Sequence, residues 1–168
     1  MKRNAAFTLV ELLITMTIMV MLIIIAVVNL RSNQANARDD QRKSDVNAIA
    51  QQLETYYESG TPTTSAGQYP GTNDINTLSE IQTLLPDLDT KDLWAPNVST
   101  SGALSFTVAT STTTPTPDIN TFVYMPLTDS GGLCTTAGST ATTECRKFNI
   151  YYALEATSGT QKVTSKHQ

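Results

Sequence analysis

Cysteine, histidine and tryptophan are scarce in this 168-residue chain, which has two, one and one of them. Two sulfurs with no histidine nearby leave a tetrahedral zinc site half empty, so a structural zinc module is disfavoured. The single imidazole, His167, stands in a polar tail next to the last residue of the sequence, where it cannot serve as the base of a nucleophilic triad. Basic residues are also short, eleven against fifteen acidic, for a formal net charge of −4. That balance argues against wrapping nucleic acid as the main task, although a local contact stays open. The last shortage is positional. Neither proline nor glycine occurs from Phe7 to Ser59, so nothing in that stretch is a strong helix breaker.

What fills the stretch is apolar at first. Phe7 to Leu30 is long enough to cross a bilayer as a helix, and its one charged residue is Glu11. A carboxylate in hydrocarbon costs a few kcal/mol or more, so it marks a contact with a positive partner. The residues before the run, Met-Lys-Arg-Asn-Ala-Ala, are short and basic. A secretory signal has its apolar stretch ahead of a small-residue cut site. Here the small pair Ala5-Ala6 precedes the run, and its far end, Val27-Val28-Asn29-Leu30, has no A-x-A site.

This arrangement, a basic leader, a small residue and then Phe7-Thr8-Leu9-Val10-Glu11-Leu12, resembles the N-terminus of type IV pilins and pseudopilins. The resemblance implies that a prepilin peptidase cuts between Ala6 and Phe7 on the cytoplasmic side and methylates the new amine of Phe7. Glu11 is then fifth in the mature chain, where the family has its glutamate. Two positions depart from the family. Ala6 stands where glycine is usual, and is small enough to fit. Many members have a proline within the apolar segment, whereas this chain has Val28 near that place, leaving the polar cluster from Asn29 through Asn36 as the site for any melting of the helix. Losing the leader removes Lys2 and Arg3, which leaves nine basic residues against fifteen acidic, a formal charge of −6. Those two residues favour a cytoplasmic N-terminus, while Arg31, Arg38, Arg42 and Lys43 after the span weaken that count.

Past the span, Ser32 to Ser44 is nearly all polar, and Val46, Ile49, Ala50, Leu53 and Tyr57 then recur at helical spacing as a core-facing stripe. Gly60 is the expected stop, with Pro62 after it. One helix from Phe7 to about Ser59 would be roughly 80 Å long. Thr77-Leu78-Ser79-Glu80 has the capping-box pattern for a short helix ending before Pro86, with Leu78, Ile81, Leu85 and Leu88 towards the spine. Strands are expected at Leu104, Phe106 and Val108, at Phe122 to Met125, and at Phe148, Ile150, Tyr152 and Leu154. Alternation makes the sheet one-faced and antiparallel, and the helical stripe covers its apolar side.

Cys134 and Cys145 enclose ten residues, mostly Thr, Ala, Gly and Ser. In an exported domain such a pair reads as a disulfide worth about 3 kcal/mol. Many pilins close a loop near the C-terminus in this way. Asp129-Ser130-Gly131-Gly132 echoes the nucleophile stretch of trypsin-like proteases, but His167 gives it no base, and the match is read as chance. Major pseudopilins of secretion systems carry calcium, and Asp87, Asp89 and Asp92 offer oxygens for Ca2+. No EF-hand spacing is present, so the expectation is a solvated acidic loop and no cofactor. Trp94 is expected in the core. Ser99 to Pro117 is a Ser/Thr-rich exposed loop able to carry O-linked sugar, and Asn97-Val98-Ser99 is a weak N-glycosylation tripeptide.

The expected fold is α+β: a long N-terminal helix, transmembrane in its first half, with its second half packed on a small C-terminal antiparallel sheet. The expected divisions are 1–6 leader, 7–30 membrane and filament-core helix, 31–59 spine helix, 60–100 connecting region with a short helix, 101–156 sheet with the Cys134/Cys145 loop, and 157–168 flexible tail. The resemblance implies a non-enzymatic pilus subunit that starts as a single-pass protein of the cytoplasmic membrane and ends in a surface filament. Its partners are then its own copies, the prepilin peptidase, the assembly platform and minor pilins. DNA or a host surface as target is not legible. A pseudopilin of a type II secretion or competence system is the alternative within the family, and a membrane-anchored extracellular binding module is the alternative of another class.

Overall fold

A computed structural model describes residues 8–60, 66–136 and 144–167. The chain divides into two units, residues 1–37 and 38–168. Helix α1, Leu9–Ser59, is continuous, as the lack of proline and glycine allows. Thr8 starts it, with its hydroxyl accepting from the Glu11 amide at 3.2 Å and its carbonyl from the Leu12 amide at 3.3 Å. Gly60 ends it at φ 64°, a left-handed conformation that glycine adopts without a Cβ penalty, and donates to the Tyr56 carbonyl at 2.7 Å. The stretch from Asn29 through Asn36 is helical in the isolated chain.

In the second unit, the expected stripe on α1 is core. Val46, Ile49 and Leu53 have no exposed surface, and burial of each side chain contributes about 1.5–3 kcal/mol. Tyr56, rather than Tyr57, is the buried tyrosine, and Tyr57 packs at the margin. Helix α2, Leu78–Leu84, has the capping box read from its sequence: Glu80 N–H donates to the Thr77 hydroxyl, and the Glu80 carboxylate accepts from Thr77 N–H. A 3-10 turn, η1 (Thr90–Leu93), follows, and it buries Leu93 and leads into the buried Trp94.

Four strands form one sheet in the order β1-β2-β3-β4: β1 Phe106–Val108, β2 Phe122–Thr128, β3 Cys145–Ala153 and β4 Thr160–Thr164. Phe122 and Tyr124 pair with Tyr152 and Ile150 across the antiparallel β2/β3 ladder. These side chains and Phe148 meet the α1 stripe in the main core. On the opposite face, Met125 and Tyr151 are buried with Ala109.

Two expectations need correction. The sheet is mixed, because β1 runs parallel to β2 with Phe106 opposite Phe122; the long connection through Ser/Thr and proline residues returns the chain to the end at which β1 began. The expected tail, 157–168, is not free. Gly159, at φ 97°, turns the chain into β4, which pairs antiparallel with β3, so the sheet extends beyond 156. Val163 is the only apolar side chain in β4, and one such residue on an edge strand sets no alternation to read.

Candidate functional site

Between Leu9 and Val27 every described side chain on α1 is exposed, and the most apolar window there has a mean hydropathy of 2.7. Among the described residues this is the one helix long and apolar enough to cross a membrane. Its two inner hydroxyls are satisfied within the helix: Thr15 donates to the Leu12 carbonyl at 2.9 Å and Thr17 to that of Ile14 at 2.8 Å. Neither then needs water, which removes most of the cost of putting a hydroxyl into lipid. Glu11 occupies the first turn, where the unpaired N–H groups of a helix start favour a negative charge. Thr8 and Glu11 have the spacing of a capping box, a local signal that the apolar pattern around them obscures. Ala6 and Phe7, the expected processing pair, lie outside the described residues.

Cys134 and Cys145 form a disulfide with Cα atoms 5.5 Å apart. Both half-cystines also hold the connecting segment through their carbonyls: Tyr69 N–H donates to Cys145 O at 2.7 Å and Thr72 N–H to Cys134 O at 3.1 Å. Tyr124 adds a bond from its hydroxyl to Pro70 O at 2.8 Å. The stretch Asp129 to Gly132 is a turn closed on Thr128, whose hydroxyl lies 3.0 Å from that of Ser130. His167 is stacked on Tyr57, ring centroids 4.2 Å apart, and stands 3.6 Å from Glu54. Among the described residues no group of three or more His, Cys, Asp or Glu could hold a metal ion. The Asp89 carboxylate instead caps η1 by accepting from Lys91 N–H at 3.0 Å.

Two buried polar clusters escaped the sequence reading. Arg42, with 1% of its surface exposed, donates to Ile119 O at 2.8 Å, to Asp39 at 3.0 Å and to Glu155 at 2.7 Å. Arg38 completes a bidentate pair with Glu155, and Asp39 accepts the N–H groups of Glu155 and Ala156, both at 2.8 Å. Hydrogen bonding from Arg38, then from Arg42, outweighs burial and pulls the Glu155 carboxyl down to about 2. Burial pushes the Asp39 carboxyl up, but the two N–H groups and Arg42 together hold it below the usual range. The second cluster is on Glu54, which accepts from the Tyr69 hydroxyl and from Lys166 N–H, each at 2.8 Å. Burial, then the bond to Glu54, raises the Tyr69 phenol well above its ordinary value. The Asp39/Arg42 spacing of three was visible in the sequence. Glu155, more than a hundred residues away, was not.

In the exposed apolar part of α1, by contrast, the one charged residue is Glu11 in the first turn. Residues 1–27 match the prokaryotic N-terminal methylation motif. The match is consistent with a type IV pilin or pseudopilin, and it spans the leader, Ala6, Phe7 and Glu11 together. No curated protein and no solved structure matches the chain. The methylation motif covers most of the exposed apolar part of α1 and stops before the second unit begins at Arg38.

Proposed function

We propose that the chain is a non-enzymatic structural subunit of a type IV pilus, cleaved between Ala6 and Phe7, methylated on the Phe7 amine and polymerised through α1. The observation that carries this reading is Glu11, which lies inside the methylation motif and in the first turn of a helix with exposed apolar sides. Those sides need a hydrophobic environment, first the cytoplasmic membrane and then neighbouring copies of the same helix. A carboxylate among them needs a counter-charge, since an unpaired buried charge is strongly disfavoured. The Phe7 amine of a neighbouring protomer supplies it, and the pair sets the axial step between subunits. The assembly platform, minor pilins and prepilin peptidase are the partners this route requires, and the finished filament lies outside the cell.

Mass spectrometry of the protein from its own cells is the first test. The expected mature chain begins at Phe7 and is one methyl heavier. An intact Met1 leader in a functional membrane fraction would support the anchored binding module instead. Glu11→Ala should leave membrane insertion intact and abolish filaments, and normal filaments from that variant would refute the pairing. Export of a substrate without long surface fibres would assign the chain to the pseudopilins.

A further inference from the structure

The residues after β4 close onto α1 through one carboxylate, that of Glu54. Ser165, which is buried, continues the β3/β4 ladder: its N–H donates to Phe148 O at 3.0 Å, and its hydroxyl accepts from Phe148 N–H at 3.2 Å. The same hydroxyl donates to His167 O at 2.9 Å and so fixes the turn that brings residues 166 and 167 to the helix. On α1, the buried Glu54 takes Lys166 N–H on Oε1 and the Tyr69 hydroxyl on Oε2, each at 2.8 Å. His167 Nε2 stands 3.6 Å from that Oε2. This is beyond hydrogen-bond distance, so a neutral imidazole gains little there, whereas a protonated one gains an ion pair. The imidazole also lies flat on Tyr57, with ring centroids 4.2 Å apart and planes 15° from parallel, and a positive charge over such a ring is favoured. Tyr57 in turn packs on Tyr69 at 4.6 Å, and Tyr69 N–H donates to Cys145 O, so helix, connecting segment, disulfide and tail meet at one place.

We propose that Ser165 to His167 form an acid-tightened clasp: with His167 protonated the strap is locked onto Glu54 and Tyr57 of α1, and loss of that proton leaves it held through the Lys166 amide alone and lets it lift. The switched surface is the ring face of Tyr57 that His167 covers, with the Glu54 carboxylate beside it. Attraction for the imidazolium comes from α1, from Glu54 and the Tyr57 ring. Tyr69, on the connecting segment, shares the carboxylate but stays neutral, because burial, then its bond to Glu54, raises its phenol well above the ordinary value. The like charges are Lys166, which is exposed, and Arg146 on β3, whose guanidinium is committed to Glu144 at 2.8 Å and Gly67 O at 3.0 Å. Both attractive contacts need the proton, so closure is favoured on the acidic side of the histidine range and weakens as pH rises through it. Ser165 does not titrate, so opening stops there and leaves β4 paired with β3. The His167 side chain is 44% exposed, so the outside medium reaches it directly. The clasp belongs to the second unit and serves a pilus or a pseudopilus subunit alike.

His167 is the single histidine of the chain, so its ring signals report on the clasp without ambiguity. The full chain in detergent micelles is followed by NMR from about pH 5 to about pH 8, the interval in which an ordinary histidine changes charge. The expected result is Lys166 amide exchange, corrected for intrinsic rate, that is about 2- to 5-fold slower with the imidazole protonated than with it neutral, the size of effect a partly exposed ion pair gives. Nuclear Overhauser contacts between the His167 and Tyr57 rings should weaken with the same midpoint. His167→Gln should remove the pH dependence at Lys166 while the amide of Val163, paired with Ile150 in the sheet, stays protected. Asp45→Asn is the control, since burial, then the Asp92 charge, pushes that carboxyl up to about 7 and into the same interval; the dependence at Lys166 should persist in it. Exchange at Lys166 that ignores the charge on the imidazole, a pH dependence that survives His167→Gln or vanishes in Asp45→Asn, or an equal change at Val163 would each overturn the proposal.

Discussion

Replacing Arg42 with alanine tests whether the buried charge cluster ties α1 to the turn after β3. The guanidinium is fully enclosed and makes three charge-assisted bonds, to Ile119 O, Asp39 and Glu155. Each such bond contributes about 1.5–3 kcal/mol, and removing one partner of a buried ion pair costs about 3–5 kcal/mol because the other charge stays behind. Asp39 would keep the N–H groups of Glu155 and Ala156, and Glu155 would keep Arg38. These retained bonds place the expected loss at about 3–4 kcal/mol rather than at the sum of the bonds. Against a domain stability of about 5–15 kcal/mol, that loss is a large part of the whole. Arg38→Ala is the control. Its side chain is 29% exposed, water screens its pair with Glu155, and the expected cost is a small fraction of the Arg42 loss. Urea denaturation of the full chain in micelles, followed through Trp94, measures both. Equal effects of the two substitutions, or an Arg42→Ala loss under about 1 kcal/mol, would refute the assignment of Arg42 as the centre of the cluster.

Acid should act on the same cluster. The Glu155 carboxyl titrates at about 2 in the fold and in the ordinary glutamate range of about 4 when unfolded. Its stabilisation is therefore complete above that range and lost as pH falls through about 2; the acid limb should flatten in Glu155→Gln, as denaturation midpoints across that window will show. The Cys134→Ser/Cys145→Ser pair should cost about 2–5 kcal/mol. Because both cysteine carbonyls hold the connecting segment, amide exchange at Tyr69 and Thr72 should accelerate more than at Ile150. Gly71→Ala should lower the thermal midpoint, since a Cβ there would stand 2.5 Å from Thr136 N and 2.6 Å from Thr135 C, both backbone atoms that cannot swing aside; overpacking of this kind costs about 1–3 kcal/mol. An unchanged midpoint would mean that the 135–136 backbone shifts freely.

Much of the molecule was legible because its signals are local. The stripe from Val46 to Leu53 repeats every three or four residues, the Thr77/Glu80 cap closes within one turn, and Phe148, Ile150 and Tyr152 recur at every second position on one face. Such patterns follow from helix and strand geometry and need no knowledge of a partner. The apolar run, Glu11 and the leader are equally local, which is why the methylation motif can be read before any fold is known. Tertiary structure decided the rest. The parallel pairing of β1 depends on where a long connection returns the chain, and the place of β4 depends on an open edge of β3 rather than on its own sequence. Arg38, Asp39 and Arg42 read as one more solvated helical stretch until the turn after β3 brings Glu155 to them. Likewise, Asp45 is an ordinary acidic residue in sequence, and only the fold buries it with an Oδ2 that has no hydrogen-bond partner among the described residues. A side chain's charge is written in the sequence, but its dielectric surroundings and partners are set by residues far along the chain, and these determine what the charge costs and does.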